Sequence, residues 1–319
     1  MYDIMQHLTN ATNVSEEANS NCDRLEALTL HYLCVLAKDT ELREPMSKYY
    51  NEVMMAAIKH IDDTDWTVCN AALQLFGALI PKLVGQRQAT EFEELLEWEA
   101  SELTYDEINN QLPKISAYIL EYCLNQATNA KANRSIILFL GFLTKVEHLH
   151  KFAGRVDDKN LSSFRALHMS LLGHSCEKIR HLAAICFVRS HEFRCDLPQI
   201  MLQILQFMFT IENENFFQGL CMVLLFGWDK WQHESQHTIS AIETEKFKHN
   251  LYLGFSSNFK LNLNFKPYSF CKLLDLLRRL QFKSNDVILK QLLGLKGQNL
   301  NSNWIGFDVF LQKIDLFCN

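Results

Sequence analysis

Residues 62–80 read Asp62-Asp63-Thr64-Asp65-Trp66-Thr67-Val68-Cys69-Asn70-Ala71-Ala72-Leu73-Gln74-Leu75-Phe76-Gly77-Ala78-Leu79-Ile80. The acidic run supplies N-cap side chains, and apolar residues then recur at helical spacing to Ile80. Pro81 kinks or ends this helix close to its C-terminus. The arrangement returns further on, where Ser175-Cys176-Glu177 precedes Ile179-Arg180-His181-Leu182-Ala183-Ala184. Both stretches match the second helix of a HEAT repeat: a polar turn, a β-branched residue, then Ala where neighbouring helices approach closely. Val68 and Ile179 are 111 residues apart, about three repeats of ~40 residues. The alternative is two unrelated helices that share a common pattern.

The helical period extends outward from this stretch. Leu25, Leu28, Tyr32, Val35 and Leu36 form one apolar stripe, and Tyr49, Val53, Ala56 and Ala57 form the next. Further helices are read at 112–124, 136–146, 164–172, 179–189, 197–209, 216–231 and 270–282. Helices of this length with short links predict stacked pairs. One segment departs: from Phe259 to Phe265 apolar residues alternate with Lys260, Asn262 and Asn264, a strand period that Pro267 ends. The expected fold is therefore an all-α, HEAT/armadillo-like solenoid with a short extended or β-like insertion near 257–267. Residues 1–245 form the helical array, with an acidic connector at about 87–110, and 246–319 are a basic helical C-terminal part of the same array. The competing class is a compact α-bundle followed by a separate α+β domain at 246–319.

Composition agrees with the helical reading. The chain has 319 residues, of which 48 are Leu, 11 Gly and 5 Pro, and it is 48% hydrophobic. It can bury a core, which excludes intrinsic disorder. Turn residues are too few for a many-stranded sandwich or barrel. The longest apolar run, 220–228, is far short of the ~18–20 residues that span a bilayer. Residues 1–10 carry no basic, apolar leader. Ten cysteines without a CxxC pair read as buried, reduced thiols. A cytoplasmic protein with no membrane contact is expected, and the sequons at Asn10, Asn13 and Asn133 are read as chance.

Charge is uneven. Residues 246–319 hold eleven Lys or Arg against four acids, a net +7, so the first 245 carry −13 of the overall −6. Glu91 to Glu107 is the most acidic stretch, a solvated connector or a docking strip for a basic partner. In the tail, Lys272, Arg278, Arg279, Lys283 and Lys290 are the candidate RNA contacts. Lys272, Arg279, Lys283 and Lys290 share a face on an ideal helix, but Ser284-Asn285-Asp286 reads as an N-cap that splits the segment in two.

Catalytic motifs are sparse. His233-Glu234-Ser235-Gln236-His237 matches HExxH, in which two His hold zinc and Glu activates water. No third-ligand extension follows, and His249 and Asp275 are the only substitutes. No catalytic zinc is expected, with a zinc hydrolase as the least favoured alternative. Cys186, His191 and Cys195 fit no zinc-finger spacing. There is no GxxxxGK[ST], GxGxxG or GxSxG motif. No enzyme and no cofactor are expected; the pattern is that of a binding scaffold.

The stretch from Leu25 to Gln86 resembles the thyroid adenoma-associated protein family. The resemblance rests on Trp66-x-Val68-x-Asn70, small residues including Ala72, Leu75-Phe76-x-x-Leu79, and then Gly85. Cys69 stands where the family usually has Arg. Family members are far longer, so the chain reads as a C-terminal portion. The resemblance implies a non-catalytic helical-repeat scaffold that partners an FtsJ-type RNA methyltransferase in ribose 2′-O-methylation of the tRNA anticodon loop. The methyltransferase holds S-adenosylmethionine and the scaffold holds tRNA on its extended surface. The signature residues Trp66, Val68, Asn70, Ala72, Phe76 and Gly85 are read as structural, with Trp66 a core anchor between repeats and Asn70 bonded to a neighbouring loop. A general protein–protein solenoid without RNA is the alternative.

Overall fold

The computed structural model describes residues 20–84, 103–127, 134–147, 159–192, 196–234, 241–258, 267–282, 292 and 307–315. These residues are overwhelmingly helical and divide into two compact units, 1–126 with 133–164, and 127–132 with 165–319. The charge change at residue 246 falls inside a helix, Ala241–Asn258, and so marks no break in the secondary structure.

The first unit contains α1 (Ser20–Lys38), α2 (Arg43–Ser47), α3 (Tyr50–Lys59), α4 (Trp66–Val84), α5 (Tyr105–Gln111), α6 (Pro113–Gln126) and α7 (Arg134–Leu143). Helix α4 packs along α1 and against α3, and α3 also meets α6. Its N-terminus is fixed as the acidic run implies: the Asp65 carboxylate accepts the N–H groups of Thr67 at 2.6 Å and Val68 at 3.2 Å. The Thr67 hydroxyl, followed by the Val68 and Thr67 amides, holds the Asp65 carboxyl below its ordinary value. Pro81 is accommodated inside the last turn of α4, which continues to Val84.

Helix α1 corrects the sequence expectation about its inner face. Leu25, Leu28, Tyr32 and Val35 are exposed, at 57%, 65%, 51% and 63%, whereas Ala27, Leu30, Leu33, Cys34 and Ala37 are buried. The helix has two apolar faces, and periodicity alone does not choose between them. The face with small residues wins because Ala27 and Ala37, like the buried Ala71 and Ala72 of α4, let two axes come close.

The expected connector at 87–110 is helical in its last part. Thr104 and Glu107 form a reciprocal capping box at the start of α5, with Thr104 N–H donating to Glu107 at 2.7 Å. The only strand pairing among the described residues is a two-residue parallel bridge, Leu103–Thr104 against Val146–Glu147. The insertion read near 257–267 lies largely outside the described residues. Its edges are helical, with Asn258 ending one helix and Pro267–Phe270 forming a 3-10 turn.

Helix α8 (Lys159–Leu171) runs across the boundary between the units. The second unit continues with α9 (Glu177–Arg189), α10 (Asp196–Phe207), a 3-10 turn at Met208–Thr210, and α11 (Glu214–Glu234). It is completed by α12 (Ala241–Asn258), the 3-10 turn Pro267–Phe270, α13 (Cys271–Arg279) and α14 (Phe307–Asp315). Helix α11 is its spine and packs on α9, α10 and α13. Aromatic rings fill the core, with Phe217 5.6 Å from Phe270 and Trp228 5.2 Å from Phe247 between ring centroids. Glycines set the closest approaches. A Cβ on Gly254 would lie 2.5 Å from the Leu205 carbonyl oxygen, so α12 sits on α10 at a distance only glycine permits. Helices α12 and α14 are absent from the sequence reading. Lys and Asn interrupt the apolar period of α12, and α14 is a single short amphipathic segment.

Candidate nucleic-acid interface

The signature residues divide between two faces of α4. Val68, Ala72 and Phe76 are buried, as expected, while Asn70 is half-buried and Trp66 is 67% exposed. The expectation of a core anchor at Trp66 is corrected. At ~100° per residue Trp66 lies roughly 160° from Val68, on the side away from α1 and α3. Gly85 lies outside the described residues. Among the described residues Asn70 makes no side-chain hydrogen bond.

The described helices of the first unit are tied by side-chain contacts that the sequence reading did not anticipate. The Asp62 carboxylate accepts the Tyr122 hydroxyl of α6 and the Ser135 hydroxyl of α7, each at 2.5 Å. Arg134, the first residue of α7, places Nη1 2.9 Å from Cys69 Sγ, and that thiol lies 3.1 Å from the Ile61 carbonyl oxygen. A guanidinium therefore does stand beside position 69, but it comes from a helix 65 residues further along the chain.

Of the five candidate RNA contacts, Lys272, Arg278 and Arg279 are described; Lys283 and Lys290 lie outside the described residues. Helix α13 buries Leu273, Leu274, Leu276 and Leu277 and turns its cations outward. Arg279 Nε lies 3.6 Å from Asp229, and burial raises the Asp229 carboxyl while Arg279 opposes the rise. Asp275 is paired with Lys313 of α14. Arg278 is exposed and has no carboxylate partner among the described residues. The helix ends in a Schellman turn: Gln281 adopts φ 58°, and Phe282 N–H donates to the Leu277 carbonyl at 3.0 Å. The helix that carries Lys272 and Arg279 thus ends at Arg279, and the break read at Ser284 lies outside the described residues.

Helix α11 ends at Glu234, so His233 and Glu234 close that helix, and His237 lies outside the described residues. Cys186 is a buried thiol in α9, and the His191 ring nitrogen Nδ1 sits 2.7 Å from the Phe187 carbonyl oxygen. Cys195 lies outside the described residues. Helix α4 is long and apolar enough to cross a bilayer by length and composition. Here its apolar face is the core of the first unit, packed on α1 and α3.

Residues 69–226 match the family profile described as the C-terminal TPR repeats of Trm732, and residues 1–67 match the profile described as THADA/TRM732, DUF2428. The chain belongs to the THADA/Trm732 family. The two THADA/Trm732 profiles meet at the start of α4, on the signature that carries the resemblance. They cover all the helices from α1 to α10 and part of α11. The repeats are named TPR where the sequence pattern pointed to HEAT. Both are helical-pair arrays, and the fold is an all-α solenoid. No curated protein and no solved structure matches the chain. Membership of the THADA/Trm732 family gives the chain a role related to tRNA modification.

Proposed function

We propose that the chain is a non-catalytic, cytoplasmic scaffold that supports an FtsJ-type methyltransferase in ribose 2′-O-methylation of the tRNA anticodon loop. The observation that carries this reading is the pair of adjoining family matches, to residues 1–67 and 69–226. In this reading the methyltransferase supplies S-adenosylmethionine and the reacting groups. The helical repeats supply a surface large enough to hold a folded RNA by its shape and phosphates. In this reading Arg278 and Lys272 add phosphate contacts. The test is co-expression of the tagged chain with an FtsJ-type methyltransferase, followed by a methyl-transfer assay on tRNA. Co-purification and methylation that depends on the chain are expected. Methylation unchanged when the chain is omitted overturns the reading.

A second reading, a protein–protein solenoid without RNA, is favoured by the exposed stripe Leu25, Leu28, Tyr32 and Val35 on α1. Contiguous apolar surface of this kind marks a protein contact. It predicts co-purification with a protein partner and no retention of tRNA at physiological salt.

A further inference from the structure

A polar cavity of about 480 Å³ opens in the second unit, lined by Arg180, Asn213, Glu214, Asn215, Gln218, Tyr268 and Ser269. Its volume lies inside the ~300–1,000 Å³ range of small-ligand sites. Every lining residue carries a polar group, and Arg180, Gln218 and Ser269 are buried. Buried polar groups are ordinarily spent on one another, and here several are not.

The Arg180 guanidinium has five N–H groups. Nε donates to Gln218 Oε1 at 3.0 Å, and Nη1 donates to the carbonyls of His174 at 2.6 Å and Ser175 at 2.8 Å. Nη2 gives one N–H to the same Gln218 oxygen. The second Nη2–H has no acceptor among the described residues, and no described carboxylate forms an ion pair with Arg180. Gln218 uses its oxygen on Arg180, which leaves both Nε2–H groups unspent. Asn213 uses Oδ1 to cap α11, accepting Phe216 N–H at 3.0 Å, and keeps its Nδ2–H groups. The hydroxyls of Tyr268 and Ser269 are already given to Glu177, at 2.7 Å, and to Glu214. The cavity thus presents a cluster of N–H donors, one lining carboxylate and the ring of Tyr268.

We infer that this cavity receives an unpaired guanine base of an RNA strand, an inference that rests on the RNA-scaffold reading above. A phosphate has acceptors for the donors, but it would stand near Glu214 and Glu177, two carboxylates against one guanidinium. A neutral base avoids that repulsion. Guanine carries adjacent acceptors, O6 and N7, for N–H donors of the Arg180–Gln218–Asn213 type. Its N1–H and N2–H groups give the Glu214 carboxylate two donors to accept, within the four lone-pair sites of a carboxylate. Adenine and cytosine lack an N–H at the ring position that guanine offers. Uracil has one such donor and no second. Tyr268 supplies a flat apolar face for stacking, as RNA readers of unpaired bases do.

The test uses the full chain and four labelled uridine octamers whose central nucleotide is G, A, C or U, with affinity read by fluorescence anisotropy. The guanine octamer is expected to bind at least about fivefold tighter, the low end of discrimination by one bidentate contact. Gln218→Glu keeps an oxygen on Arg180 and removes the amide donors. Asn213→Asp keeps the helix cap and removes the amide donors. Both are expected to bring the four octamers within about twofold while the thermal melt stays unchanged. Equal binding of all four by the wild-type chain, no binding of any, or a guanine preference that survives both variants overturns the inference. The methyl-transfer assay separates it from the scaffold reading. Chain-dependent methylation by a wild-type chain that binds all four octamers equally sinks the pocket alone. Guanine preference with chain-independent methylation sinks the scaffold role alone.

Discussion

Gly219 lies in α11 where that helix crosses the C-terminal turn of α8. A Cβ at Gly219 would stand 2.9 Å from Leu172 Cβ and 3.0 Å from its carbonyl carbon, and closer still to the carbonyl oxygen. Ordinary contact begins near 3.4 Å, and the obstacle is backbone, which cannot rotate away. Gly219→Ala must therefore push α11 away from the backbone at Leu172, just past the end of α8. Overpacking of this kind costs about 1–3 kcal/mol, and backbone contact places it at the upper end. Replacing Gly by Ala inside a helix returns about 1 kcal/mol. The net expectation is a loss of about 2 kcal/mol, a fall of roughly 4–8 °C in Tm for a unit of this size. Gly173→Ala is the control from the same seam. Its Cβ would meet Phe216 at 3.6 Å, an ordinary contact, so a change within about 0.5 kcal/mol is expected. Urea denaturation followed by far-UV circular dichroism measures both. Gly219→Ala as stable as the wild type, with Gly173→Ala also neutral, would refute the claim that glycine sets this helix spacing.

Gln281→Gly relieves a left-handed residue at the end of α13 and should raise stability by about 1 kcal/mol in the same denaturation assay, since a side chain at positive φ costs roughly that much. Asp62→Ala removes the acceptor for Tyr122 and Ser135 and should lose about 1–2 kcal/mol; Asp62→Asn, which still accepts through one oxygen, should lose less. His168 is buried, and burial, aided by His191, pushes its pKa down to about 3. The unfolded chain then binds one proton more than the fold between pH 6.5 and 3, so stability present above pH 6.5 falls by up to about 1.4 kcal/mol per pH unit below it. His168→Leu should flatten that slope in denaturation curves taken at pH 7, 6, 5 and 4. Arg278→Glu leaves the Arg279–Asp229 pair in place and should weaken tRNA binding and flatten its salt dependence in a gel-shift titration; affinity equal to wild type at both low and high salt would make this helix ordinary surface.

Most helices of this chain were legible because their apolar period and caps are written locally; α12 and α14, which lack a long clean period, were not. The acidic run before Trp66 caps α4 through Asp65 as its composition implies, and the apolar periods at 112–124, 179–189 and 216–231 correspond to α6, α9 and α11 within a few residues. Orientation was less legible. Helix α1 carries two apolar stripes, and which one is inside depends on what packs on it, not on its own sequence. Trp66 was read as a core anchor from its place in the signature at a helix start, whereas it is exposed, and its angle from Val68 places it on the opposite side of α4. The polar contacts were illegible for a different reason. Asp62 reaches Ser135 across 73 residues, Arg134 reaches Cys69 across 65, and Ser269 reaches Glu214 across 55, with no period in the sequence to signal them. Arg180 shows how the two kinds of information meet. Its place after Ile179 marks it as a repeat residue, and the fold does use it to clamp the turn at His174 and Ser175. The same guanidinium also holds Gln218 so that an amide faces an open cavity. A residue that a repeat needs for structure thus becomes, once buried beside the right neighbour, the base of a recognition site, and only the three-dimensional contacts distinguish it from every other arginine at that position.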